Sequence, residues 1–315
     1  VLAFSTASQL GYMFLGVGAA GLIHEFFTGF LATFTHLMSH AIFKASLFLA
    51  AGAILHAVES RYIPDTGGLR RYMPLTFASM LLAALSLSGI PPFMGFWTKD
   101  ALLEVVHEAG LQPQYLLAVV TAALTAFYST RLVFSIFCGG ESRHLRRVRE
   151  EEGGVHEAHS VMLSPYLILA SASLLVGLAW PFMSSSLFKA IVEHVLAIGE
   201  VAETPFHLDP TLTSYSLGMA TLGLIVSILV YIKPAIKPNI DSKVEGSRLL
   251  SALRSFLYDR WYINSIYYLI FIRGGGWFSK WLFRWFDRGV VDRLYHDLIP
   301  RGWLALSDKL FRWFD

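Results

Sequence analysis

Cysteine is almost missing from this sequence. Cys138 stands alone, which excludes an internal disulfide and any Cys-rich metal or iron–sulfur centre within the chain. It reads as an inert small apolar residue near a helix end. Charge is scarce as well: Asp, Glu, Lys and Arg make up only 15% of the residues, and a net charge of +2 supplies no bulk field for nucleic acid. No Gly-rich phosphate loop, nucleophile elbow, HExxH or CxxC is present, so soluble-enzyme chemistry has no support. There is no 20–50-residue repeat, and the one low-complexity feature is the run Glu150-Glu151-Glu152. Val1 already lies inside an apolar run, with neither a Met nor a basic stretch before it. That predicts no signal peptide and a truncated amino terminus, and the chain also stops at Asp315 in mid-pattern.

What the sequence has in abundance is apolar length. A hydrophobic content of 55% and a mean hydropathy of +0.53 are too high for an ordinary soluble domain, so the expected solvent is lipid. Runs long enough for a hydrocarbon core of roughly 30 Å occur at about 2–23, 28–57, 74–95, 114–138, 161–183 and 213–233. The fold class expected is all-α and integral to the membrane, with about six transmembrane helices and a long carboxyl-terminal amphipathic lateral helix. The third run is followed almost at once by a second helical stretch, Trp97 to Ala109. Pro lacks an N–H and clashes with the preceding turn, so Pro91-Pro92 predicts a broken helix over 74–109.

Loop charge sets the expected orientation. The connections Glu59–Met73, Gly139–Ser160 and Lys233–Arg254 carry Arg61, Arg70, Arg71, Arg143, Arg146, Arg147, Arg149, Lys233, Lys237, Lys243, Arg248 and Arg254. The alternate connections are acidic or nearly neutral, with Glu25, then Glu108, then Glu193, Glu200, Glu203 and Asp209 around Lys189. This is the positive-inside pattern, and it places the carboxyl-terminal region on the cytoplasmic side of a cell (inner or plasma) membrane. Three regions are expected: channel helices over 1–138, two further transmembrane helices with loops over 139–235, and a linker with the lateral helix over 236–315.

From Tyr258 onward the chain is too charged to cross a bilayer and very rich in aromatics. Arg273, Lys280, Arg284, Asp287, Arg288, Asp292, Arg293, Asp297 and Arg301 alternate with a wide apolar face carrying Trp277, Trp281, Leu282, Trp285, Val291, Leu294, Leu298, Leu304 and Phe311. Such a helix lies along a surface, either as an interfacial anchor or as a structural brace. Bends are expected at Gly274-Gly275-Gly276 and at Pro300.

The chemistry-bearing residues sit inside apolar runs. His36, His40 and Lys44 are four residues apart and share one helical stripe over roughly 12 Å. A Lys at membrane depth costs about 2.5–3.5 kcal/mol on insertion scales, so such groups face the bundle interior or a wet cavity. His and a desolvated Lys both exchange protons near neutral pH, which makes the stripe a candidate proton relay. The bland alternatives are core histidines satisfying hydrogen bonds and a lysine that snorkels. A His-x-x-x-His zinc site lacks the Glu of a zinc-protease helix, and Lys44 one turn on would repel the ion.

Lys99-Asp100, with Glu104 one turn later, follows the Pro-Pro break. A broken membrane helix frees backbone groups that protein or a water-filled cavity must satisfy, so this cluster reads as a wet gate with Lys99 and Asp100 as a charge pair. The competing reading puts both at the lipid–water boundary. Arg131, flanked by Tyr128, Ser129 and Thr130, is either a fixed positive charge or a snorkelling side chain. His56 and His107 read as interfacial.

At these residues a resemblance enters. The run Val1-Leu-Ala-Phe-Ser-Thr-Ala-Ser-Gln-Leu-Gly-Tyr-Met13, the His36/His40/Lys44 span, Gly67-Gly68-Leu69 and Phe96-Trp97-Thr98-Lys99-Asp100 resemble the antiporter-like proton-pumping subunits of respiratory complex I. The helix beginning near Trp261-Tyr262, with Phe286-Asp287-Arg288-Gly289-Val290-Val291-Asp292, is similar to the lateral helix of the distal, L-type member. The resemblance implies two inverted five-helix half-channels plus extra helices, driven by a remote redox module, with no redox cofactor in this chain. It implies that Lys44 matches the central or output-side lysine, His36 and His40 the connecting relay, and Lys99 with Asp100 the exit site. The input half-channel and the final helix would lie outside this sequence. Expected partners are other membrane subunits of a complex I-like assembly, lipid, protons and water. The family also includes multisubunit cation/proton antiporters, membrane-bound hydrogenases and the coenzyme F420-linked dehydrogenase, so a Na+/H+ antiporter subunit stands as the alternative, with Asp100 and freed carbonyls ligating the ion.

Overall fold

A computed structural model describes residues 1–24, 26–151, 154–190, 208–232 and 247–314. The side chain of Lys189 and the loop residues Glu25, Glu193, Glu200, Glu203, Lys233, Lys237 and Lys243 lie outside what is described, as does most of the linker after 235. The described residues form helices and turns with no strand among them. The chain divides into two compact units, Val1–Lys237 and Pro238–Asp315.

In the first unit the helices are α1 (Leu2–Ala20), α2 (Phe26–Val58), α3 (Pro74–Ser88), α4 (Met94–Glu108), α5 (Gln112–Phe137), α6 (Arg143–Glu151), α7 (Ser160–Ala190) and α8 (Pro210–Tyr231). Among the described residues α2, α5, Ser160–Ser186 within α7, and α8 are long and apolar enough to cross a membrane. The other two expected spans differ in kind. α1 is long enough but carries a buried polar stripe of Ser5, Gln9 and Tyr12, and α3 has only 15 residues, roughly 22 Å at 1.5 Å each, before the chain breaks and resumes as α4.

The break has a local cause. Gly89 takes the left-handed conformation (φ 74°, ψ 41°), a backbone state open to glycine at little steric cost, and ends α3 by donating its N–H toward Leu85 and Ser86 carbonyls. Ile90 and the cis Pro91-Pro92 bond follow, and Phe93 in extended conformation starts α4. Neither proline has an N–H, so the last carbonyls of α3 have no helical donor four residues on. α7 crosses this point so closely that a Cβ on Gly177 would run into the backbone of Pro92, Phe93 and Met94. The Trp97 indole N–H donates to Gly177 O at 2.9 Å, and the Ser173 hydroxyl to Ser86 Oγ at 2.7 Å.

α5 packs on α8, α2 on α1, α4 and α7, and α3 on α2, α5 and α7. Small residues allow the close crossings expected in lipid, where packing rather than water exclusion holds helices together. Two apolar clusters sit at opposite ends. One gathers Phe43, Leu47, Met80, Phe137 and Tyr166, and the other Tyr12, Leu102, Val106, Tyr115 and Val119. Between them lies the polar layer described below.

Two of the basic connections meet at one end. Tyr72 Oη donates to Glu141 Oε1 at 2.6 Å, Arg149 Nη1 pairs with Glu141 Oε2 at 3.1 Å, and His144 Nε2 lies 2.8 Å from Val58 O. The Tyr72 hydrogen bond, joined by the Arg149 charge, holds the Glu141 carboxyl below the usual glutamate range.

The second unit is helical from α9 (Arg248–Tyr258) through a turn at Arg260–Tyr262 into α10 (Ile263–Tyr267), α11 (Gly275–Leu282) and α12 (Ile299–Phe314). Between these, over Tyr268–Gly274 and Phe283–Leu298, the backbone widens to π-helical hydrogen bonding. The expected bends are displaced. Gly274 and Gly275 keep right-handed helical angles, and Pro300 lies in a helical run that continues without interruption from Leu298 through Ile299. The interruption falls instead at Arg260, Trp261 and Tyr262, three successive left-handed residues (φ 56°, 59° and 54°). The resumption at Ile263 is where the family resemblance places the start of the lateral helix.

Candidate functional site

The 3.6-residue turn of α2 puts His36, His40 and Lys44 on one inward stripe, and all three are buried. Lys99 and Asp100, in the second turn of α4, are buried too. His36 is completely enclosed. Its Nδ1 lies 3.0 Å from Thr98 Oγ1 of α4 and its Nε2 3.0 Å from Gln9 Oε1 of α1. Lys44 reaches α1 as well, donating to Ser5 Oγ at 2.6 Å and to Leu2 O at 3.1 Å. Ser5 Oγ also accepts the Tyr128 hydroxyl of α5 at 2.9 Å. The α1 stripe of Ser5, Gln9 and Tyr12 thus holds the ionisable groups of α2 from the facing side.

Lys99 is placed by the break. Its Nζ donates to Leu87 O at 2.7 Å, one of the carbonyls that the proline pair leaves without a helical donor. It also stands 5.7 Å from the Tyr12 ring centroid, a cation–π distance. Tyr12 is itself fixed by a 2.5 Å hydrogen bond from its hydroxyl to Ala118 O of α5. A carbonyl and an aromatic face suit a buried cation, with the Asp100 charge acting on it from the next residue.

Among the described residues Lys99 and Asp100 make no contact ion pair, although their charges interact. Successive helical residues point about 100° apart, so Asp100 turns to α8 and accepts the Ser216 hydroxyl through Oδ1, while its Oδ2 is buried without a partner. Glu104, half-buried one turn on, accepts a hydrogen bond from the Asp209 backbone N–H, and Asp209 caps α8 through its carboxylate to Thr211 N at 2.7 Å. Asp100 and Glu104 therefore belong to an α4–α8 seam, and Lys99 to the α1–α3 side.

His40 lies on the same stripe, one turn from His36 and one from Lys44. Its Nε2 is buried with no partner, and its ring stands edge-on to Phe43 at 5.4 Å. Arg131 is not brought to the cluster. It is exposed, with its guanidinium 5.6 Å from the Tyr231 ring. His56 is exposed and His107 packs edge-on against Tyr115.

Residues 1–125, which carry every one of these groups on α1, α2 and α4, match the family described as NADH:quinone oxidoreductase/Mrp antiporter, TM. Over that segment the chain is similar to this antiporter-like membrane family. The NAD(P)H-quinone oxidoreductase chain 5 of Picosynechococcus sp. is 33% identical over 301 residues, covering 87% of this chain and 43% of the relative. The NADH-quinone oxidoreductase subunit L of Rickettsia felis is 30% identical over 289 residues, covering 87% of this chain and 42% of the relative. The chain thus spans less than half the length of these curated relatives. Among solved structures, the Mrp complex from a Dietzia species superposes with a TM-score of 0.57 at 25% identity, over 98% of this chain and 30% of that one.

Reading by charge missed Ser5, Gln9, Tyr12, Thr98, Tyr128 and Ser216 as site residues. A signal for the α1 set was present: Ser5, Gln9 and Tyr12 are spaced four and three apart in an apolar helix, one stripe by the same rule that picked out the histidines.

Proposed function

We propose that this chain is the carboxyl-terminal part of a distal, L-type antiporter-like subunit that translocates protons across a cell (inner or plasma) membrane, coupled to electron transfer elsewhere in a complex I-type assembly. Its partners are the other membrane subunits, lipid, protons and water, it holds no redox cofactor of its own, and its lateral helix lies on the cytoplasmic side. One observation carries the reading: His36 and Lys44, both buried, share one hydrogen-bonded polar layer of α1, α2, α4 and α5, and buried Lys99 stands beside it, bonded to Leu87 O of α3 and facing the Tyr12 ring. Buried ionisable groups in a membrane are expensive and mark ion routes.

In this reading Lys44 holds the mobile proton on Nζ, with Leu2 O and Ser5 Oγ as acceptors for its charged form. His36 receives or donates a proton at Nε2. Lys99 stores charge against the freed Leu87 carbonyl, and Asp100 with Glu104 leads toward the acidic end at Asp209. Lys44→Met in the full-length subunit tests this. Proton movement per electron pair falls at least five-fold at an intact assembly level, and undiminished pumping refutes it.

A second reading, a sodium/proton antiporter subunit, is favoured by the unpartnered Asp100 Oδ2 beside the break and by the likeness to an Mrp complex. Transport that stops when sodium is withdrawn would select it.

A further inference from the structure

The short helix α3 carries no ionisable residue of its own, yet each of its ends meets a charge brought by another element. At the basic end the chain offers no local cap. Met73, at the N-cap position, makes no side-chain cap hydrogen bond, and the first helical residue, Pro74, has no N–H. Glu157, from the loop before α7, supplies the missing acceptor from 82 residues away. Its Oε2 accepts the backbone N–H of Leu75 at 2.7 Å and of Thr76 at 3.3 Å, and its Oε1 accepts the Thr76 hydroxyl. Thr76 Oγ1 lies 2.7 Å from the hydroxyl of Tyr166, a fully buried residue of α7 whose backbone carbonyl accepts the Ser46 hydroxyl of α2 at 2.9 Å. The two backbone donors are aimed by the helix itself, so the cap does not depend on how any hydroxyl or amide is turned.

At the other end Leu87 O would ordinarily bond to the N–H of residue 91. That residue is Pro91, and the Lys99 ammonium takes the place at 2.7 Å. α3 therefore has an anion at its positive end and a cation at its negative end, the arrangement a helix dipole favours. The helix between them is 15 residues long, roughly 22 Å.

We infer that Glu157 is a positioning residue for Lys99, acting through α3: the carboxylate pins the start of the helix, and the helix holds the Leu87 carbonyl against the ammonium. This rests on the proton reading above, in which Lys99 gains and loses charge. The charged Nζ is stabilised by the carbonyl it touches and by the negative end of the dipole, and both depend on α3 keeping its place. Removing the Glu157 charge, or shortening its reach, takes part of that support from the charged lysine. Lys99 is also acted on by Asp100 on its own helix, by His36 and His40 from α2 and by the Tyr12 ring from α1, with Glu104, Asp209 and Tyr115 beyond Asp100. Glu157 is faced by Tyr166 and shares a small recess with His56, His156 and His159.

Proton pumping per electron pair is measured against pH in vesicles that hold the full-length subunit within its assembly, for Glu157→Gln, Glu157→Asp, Glu141→Gln and Lys44→Met. Glu157→Gln removes the charge and keeps the shape, while Glu157→Asp keeps the charge and draws it back by one methylene. Each moves the alkaline midpoint of pumping down by about half a pH unit, which is about three-fold less pumping high on that limb and little change below it. Glu141→Gln removes the same charge at the same end of the bundle, from a carboxylate bonded to Tyr72 and Arg149 instead, and leaves the midpoint in place. A cap with only a structural role would lower the amount of assembled subunit and leave the profile of what assembles unchanged. An unmoved midpoint in Glu157→Gln, or an equal shift in Glu141→Gln, therefore overturns the inference. If Glu157→Gln does not assemble, the Glu157→Asp midpoint decides. Loss of pumping in Lys44→Met with unmoved Glu157 profiles sinks the α3 link alone, whereas undiminished pumping in Lys44→Met sinks the proton reading first.

Discussion

Replacing Thr98 with Val isolates the hydrogen bond that anchors His36. Val has nearly the shape of Thr, so packing is kept while the hydroxyl 3.0 Å from Nδ1 is removed. His36 is fully enclosed, so the orphaned ring nitrogen finds no other partner, and leaving a buried polar group unsatisfied costs about 1–3 kcal/mol. Thr98→Ser is the control, since it keeps the hydroxyl and loses one methyl, worth about 0.8 kcal/mol. At about 2–4 °C per kcal/mol for a chain of this general size, the Val variant of the full-length subunit melts several degrees below wild type and below the Ser variant. Thermal unfolding in detergent, followed by tryptophan fluorescence for both variants side by side, reads the order directly. If Thr98→Val melts at or above Thr98→Ser, the hydroxyl does not hold the imidazole and the account of the α2–α4 contact is wrong.

Gly177→Leu forces a side chain into the backbone of Pro92, Phe93 and Met94; overpacking of this kind costs about 1–3 kcal/mol or more, and the amount of assembled subunit recovered from membranes falls several-fold, while Gly218→Leu, at a glycine facing open space, leaves it unchanged. The Glu141 contact carries a pH signature. Because its carboxyl is held below the ordinary value of 4.5, the contact is at full strength above that pH and is lost as pH falls through the lowered value. Pepsin cleavage within residues 139–151 should therefore rise only in the acid range, and Glu141→Gln should remove that dependence; a change between about pH 5 and 8 would contradict the assignment.

Much of the architecture was legible because lipid imposes a simple demand: every backbone group must be paired within its own segment, and the segment must be long and apolar. α2, α5, α7 and α8 announce themselves on that basis, and Pro91-Pro92 announces the break. The ionisable groups were legible for the same reason, since Lys44 and Lys99 are conspicuous in their surroundings. Their partners were not. Asp100 looked paired with Lys99 because the two are adjacent in sequence, yet helical geometry sends them to different neighbours, and Ser216 is 116 residues away. Thr98, Tyr128 and Gln9 are uncharged and frequent in helices, so only the packing of four helices reveals them. The turn at Arg260–Tyr262 had no signal either, because none of its residues is Gly or Pro.

The close crossing of α7 over the proline pair has a mechanical consequence. With the Gly177 carbonyl hooked by the Trp97 indole and Ser173 fastened to Ser86, the turn that bears Lys99 is clamped from outside as well as from within. Through these two contacts a displacement of the seventh helix would reach the turn that bears the ammonium group as leverage, with no ion having to travel between the two.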